Sequence, residues 1–225
     1  MWDSARLMFT LRIGAGASRN PSAVAGVAPV MSLSVSVPSP RVPSEDDTRT
    51  WYERVLGWAC AGGPPPQLVT GVRFDVLELP SDAGAALLAR PGFAATGPVA
   101  VMGRRMRFLI APGGADELEG LLGWLEWGGV PLDLTAVGAG GRITAPVPPG
   151  RAPGESPRGA AVWLRPPELG CEASLPALPG PGRGAGPGLC AEPAGPDLVR
   201  LVAAAATECH RARLGRRTPQ PLAFS

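Results

Sequence analysis

Leu68-Val69-Thr70-Gly71-Val72-Arg73-Phe74-Asp75-Val76-Leu77-Glu78-Leu79-Pro80 constrains the fold more than any other stretch of this chain. Apolar and polar residues nearly alternate and a proline stops the run, so the pattern predicts one strand with a solvent-facing side and acids near its end. Some fifty residues on, Val130-Pro131-Leu132-Asp133-Leu134-Thr135 repeats the arrangement around a single carboxylate, followed by the turn Gly138-Ala139-Gly140-Gly141. Two such strands side by side would bring Glu78 and Asp133 together, the minimum for a metal site. Asp75 lies three positions before Glu78, so alternation puts it on the opposite face.

The 225 residues suffice for one domain plus tails, and 45% apolar composition with a net charge of +2 describes a globular protein without an electrostatic preference for any partner. All 21 basic residues are arginine, a composition expected of a high-GC genome. Cys60, Cys171, Cys190 and Cys209 form no CxxC pair and His210 stands alone, which speaks against structural zinc. There is no secretory signal pattern and no apolar run of about twenty residues, so the expectation is no membrane span and a cytoplasmic location with reduced thiols.

Residues 1–47 are rich in Ser, Pro, Ala, Val and Gly without sustained periodicity, the composition of a disordered arm, and Met31 is a candidate start. A domain is expected over 48–167. It opens with a helix over Arg49–Trp58 that puts Trp51, Val55 and Trp58 on one face. A helix over Ala83–Arg90 follows the first strand, then a hairpin of strands 97–102 and 106–110 around Gly103-Arg104-Arg105. An amphipathic helix opens at Gly114, with Leu118, Leu121, Leu122, Leu125 and Trp124 on its apolar face. With the strand at Asp133 the order is βαββαβ, an α+β class with a split sheet and helices on one face. Further strands are expected at 142–145 and 160–164, with an exposed loop over 146–157. A Pro/Gly-rich linker fills 168–195, a last helix spans 196–214, and 215–225 is a basic tail. That helix either packs back on the domain or docks a protein partner.

Thr70-Gly71, the acid-ended strand, the hairpin with its basic turn, Asp133 and its glycine-rich turn, Ala145-Pro146-Val147-Pro148-Pro149 and Gly159-Ala160-Ala161-Val162-Trp163-Leu164 together carry a resemblance. In order and spacing they resemble the N-terminal domain of bifunctional DNA primase/polymerases, in the archaeo-eukaryotic primase superfamily, over roughly Thr48 to Pro167. The resemblance implies two-metal nucleotidyl transfer with Mg²⁺ or Mn²⁺ held by carboxylates. Glu78 falls at the first acid and Asp133 at the third. Pro80 stands where the second acid belongs, and the turn Gly103 to Phe108 lacks the family's histidine. The expectation is therefore a degenerate member without efficient polymerase activity that binds nucleic acid or nucleotide. The alternatives are an active metal-dependent primase/polymerase using Glu78 and Asp133, and an adaptor docking through 196–214.

Arg104, Arg105 and Arg107 are candidate phosphate contacts, or else a solvated turn. Arg211, Arg213, Arg216 and Arg217 are a second basic cluster, equally explained by the dipole of a helix C-terminus. The sixth position of Gly138 to Ile143 and the lack of a following helix argue against a dinucleotide loop. The tryptophans read mainly as core, with Trp127 partly exposed.

Overall fold

A computed structural model describes residues 45–93, 96–150, 159–179 and 197–217. Nearly all of the expected N-terminal arm, most of the linker over 168–195, Cys190 and the tail beyond residue 217 lie outside the described residues. The chain enters through helix α1 (Glu45–Trp51), which runs into a π-helical turn, Tyr52–Leu56, closed by Gly57 in the left-handed region. That wider turn breaks the expected spacing. Tyr52 and Leu56 face the core, while Val55 is 48% exposed and does not join Trp58.

The stretch 68–80 is not one strand. Gly71, at φ 89°, reverses the chain, and its N–H donates to the Phe74 carbonyl. Strand β2 (Gln67–Val69) joins a three-stranded sheet between β1 (Cys60–Ala61) and β7 (Arg142–Thr144). Strand β3 (Asp75–Pro80) enters a five-stranded sheet with β4 (Val99–Met102), β5 (Arg105–Ile110), β6 (Thr135–Val137) and β8 (Val162–Arg165), in the order β6-β3-β5-β4-β8. All pairs in both sheets are antiparallel. Strands β3 and β4 both run against β5, which lies between them, so they are parallel to each other and joined by helix α2 (Ser81–Leu88). The architecture is α+β.

Alternation along β3 divides the interior into two layers. Leu77 and Leu79, with Val99, Met106, Phe108 and Ile110, pack under α2, helix α3 (Leu118–Trp124) and helix α4 (Leu198–Arg217). Val76 and Leu109 face the other way, onto Tyr52, Leu56, Trp58, Leu68, Phe74 and Ile143. The three leucines Leu121, Leu122 and Leu125 pack with Leu118 as the periodicity requires, and this leaves Trp124 outside, 73% exposed. The strand expected at 130–135 starts only at Thr135, so Asp133 sits in the bend before it.

Helix α4 packs back on the domain. Leu198, Leu201, Val202, Ala205 and Cys209 are buried against the sheet and α2, so a partner would meet its polar side. It extends to Arg217, three residues into the expected basic tail. Glu208, buried in that interface, accepts from Arg90 at 3.0 Å and Arg211 at 2.8 Å. No described helix is long and apolar enough to cross a membrane. Cys60, Cys171 and Cys209 are free thiols, and burial pushes the Cys209 thiol up to about 12.

Candidate functional site

Strand β5 positions the site. Met106 and Phe108 point into the helical layer, so Arg105 and Arg107 emerge together on the opposite face, the one that also carries Glu78. Register sets Arg107 directly across from Glu78 and Arg105 across from Pro80. The single carboxylate of Glu78 accepts from both: Arg107 Nε at 2.6 Å on Oε2 and Arg105 Nε at 2.9 Å on Oε1. Arg105 then reaches onward, donating from Nη1 to Asp133 Oδ1 at 2.6 Å.

Glu78 and Asp133 are thus joined through a guanidinium that lies between them. Two arginines balance two carboxylates, and both Glu78 oxygens are already engaged. Mg²⁺ or Mn²⁺ needs free carboxylate oxygens and would sit beside two fixed positive charges, so these residues fit a divalent ion poorly. Among the described residues no three His, Cys, Asp or Glu side chains group to hold a metal. Asp75 supplies nothing here. It is fully buried on the opposite face, where Oδ2 accepts from the Ala115 N–H at 3.0 Å and Oδ1 has no partner.

Burial alone would raise the Glu78 pKa, but the hydrogen bonds and charges of Arg107 and Arg105 outweigh it and hold the carboxyl below its usual value. A depressed carboxylate stabilises the fold above its unfolded pKa, about 4.3, and that contribution disappears as pH falls through the lower folded value. Urea unfolding of wild type and Glu78→Gln should accordingly show a gap at pH 7 that shrinks toward pH 2–3. A gap constant with pH would mean that the ion pairs contribute nothing.

Beside this network, against Arg105 and Asp133, lies a cleft of about 470 Å³. Arg104 stands exposed in the β4–β5 turn, and its carbonyl accepts from the Ser81 N–H at 2.8 Å, tying the turn to the start of α2. Arg216 arrives from the far end of α4 and pairs with Asp82 at 2.8 Å. With Arg105 these make three arginines lining the cleft against two carboxylates, Asp82 and Asp133, an excess of one positive charge. The buried Ser81 hydroxyl, also in the lining, has no hydrogen-bond partner.

Of the sequence candidates, Glu78, Asp133, Arg105 and Arg107 form the network and Arg104 borders the cleft. The second basic cluster separates: Arg216 joins the cleft, Arg211 pairs with Glu208, and Arg213 donates to the Pro131 carbonyl. His210 packs at a tilt against Trp127, with centroids 5.6 Å apart and planes at 55°, away from the cleft lining. Sequence reading missed Ser81 and Asp82 as site residues and the union of Arg216 with Arg104. Only the α2–α4 packing joins positions so far apart in the chain. No known protein family, curated protein or solved structure matches this chain.

Proposed function

We propose that this chain is a primase-polymerase-like domain that does not transfer nucleotides and instead binds the phosphates of a nucleic acid or nucleotide in the cleft beside Arg104. One observation carries the proposal: Arg105 lies between Glu78 and Asp133 and occupies both. The carboxylates that two-metal chemistry requires are neutralised, while Arg104 and Arg216 leave the cleft mouth positive. The strand order β6-β3-β5-β4, with α2 and α3 in its crossovers, supports the fold resemblance. A guanidinium matches phosphate with two parallel hydrogen bonds, and a bound phosphate would displace Asp82 from Arg216 at little cost, because that pair is exposed.

The test is titration of labelled single-stranded DNA and of a nucleoside triphosphate against the full chain, with and without Mg²⁺. Binding that weakens with salt and does not require the metal is expected. Arg104→Ala should weaken it roughly threefold to tenfold and lower the slope of log affinity against log salt by about 1. A folded protein that binds neither ligand at low salt would remove the proposal and leave an adaptor. Metal-dependent nucleotide incorporation lost in Asp133→Ala would overturn its non-catalytic part.

A further inference from the structure

The cleft beside Arg104 keeps two acids among its three arginines. Asp82, the second residue of α2, accepts from Arg216 at 2.8 Å, and Asp133 accepts from Arg105 at 2.6 Å. Arg105 is committed further, since Glu78 also accepts from its Nε at 2.9 Å. The side chains of Asp82 and Asp133 stay 51% and 57% exposed, so both meet whatever enters the cleft. A ligand that takes Arg216 does not carry Asp82 away, because Asp82 Oδ1 accepts from the Ala83 N–H at 2.9 Å and ties the carboxylate to the first turn of α2. An incoming anion therefore finds one unit of excess positive charge, with Arg104 exposed at the turn, in a cleft that still carries two negative groups.

That excess separates the phosphates of a strand from those of a nucleotide. Each internal phosphodiester of a nucleic acid carries a single negative charge, which balances the cleft. A terminal phosphate monoester carries about 1.5 to 2 negative charges at neutral pH, and a triphosphate crowds several onto adjacent groups. The surplus faces Asp82 and Asp133. Two like charges about 4 Å apart cost about fivefold in affinity even at the dielectric of water, and more where the protein displaces solvent.

We infer that the cleft takes an internal phosphodiester of a nucleic-acid strand and that Asp82 turns away nucleoside triphosphates; this rests on the phosphate reading of the cleft and narrows it to one class of ligand. The test titrates the full chain and its Asp82→Asn variant, without divalent metal, with three probes. These are a labelled oligonucleotide lacking terminal phosphates, the same oligonucleotide with a 5′-phosphate, and a nucleoside triphosphate. Asparagine keeps the oxygen that accepts from the Ala83 N–H and removes only the charge. In wild type the two oligonucleotides should bind alike, and the triphosphate about tenfold more weakly or worse. In Asp82→Asn the triphosphate should gain about fivefold or more and the oligonucleotides less, so that the preference for the strand contracts. A triphosphate or a 5′-phosphorylated strand that wild type prefers, or a preference that Asp82→Asn leaves unchanged, overturns the inference while phosphate binding stands. A folded wild type that binds none of the three probes removes the phosphate reading and this inference together.

Discussion

Tyr52→Ala is expected to lower the free energy of unfolding by about 3–5 kcal/mol, the range for deleting a large buried side chain. Tyr52 is fully buried, stacked on Trp58 at 6.1 Å and edge-on to Trp51 at 4.8 Å. Its hydroxyl donates to the Pro146 carbonyl at 2.7 Å and accepts from Trp163 Nε1 at 2.8 Å, joining the entry helix to the segment after β7 and to β8. Burial drives the phenol pKa far above its ordinary value, so the group stays a neutral donor. Tyr52→Phe keeps the ring and strands both partners, which should cost about 1–3 kcal/mol. Urea unfolding of the two variants separates packing from hydrogen bonding, and a neutral Phe variant would show that the hydroxyl joins nothing of consequence.

Gly71→Val ranks second, at about 3 kcal/mol or more. A β-branched residue at φ 89° is strained, and its Cβ would overlap the Ala139 backbone, which cannot withdraw as a flexible side chain can. Gly103→Ala is the control: its φ is 57° and a Cβ there meets nothing within 4 Å, so about 1 kcal/mol is expected. Equal losses at the two positions in the same unfolding assay would mean that the close approach of Gly71 to Ala139 is not what separates β2 from β3.

That turn also marks where sequence patterning stops being sufficient. Alternation over Leu68–Pro80 continues across Gly71 almost without a break, and a period of two carries no information on which sheet a residue joins. Only the glycine signals the change, and glycines are common in this chain. The hairpin around Gly103 was legible to within two residues, because both arms alternate and the turn is short. The leucines of α3 were legible as well, whereas the π-helical turn after Trp51 shifted a face that helical spacing alone assigns to Val55 and Trp58. In the site, the sequence pattern offers Glu78 and Asp133 as neighbours only on the condition that their two stretches lie side by side. It does not offer the intervening Arg105. Its place depends on the β3–β5 register, and the sequence lists Arg105 only as one charge in a basic turn.

Helix α4 carries a consequence for the birth of the protein. It covers Leu77, Leu79, Ala83 and Leu87, yet it begins at Leu198, 110 positions after α2 ends at Leu88. At a synthesis rate of about 5–20 residues per second, those side chains wait on the order of 5–20 s on the ribosome before their cover exists. Throughout that interval the nascent sheet has only α2 and α3 over its helical face, and the growing chain is a natural client for chaperones until α4 has emerged.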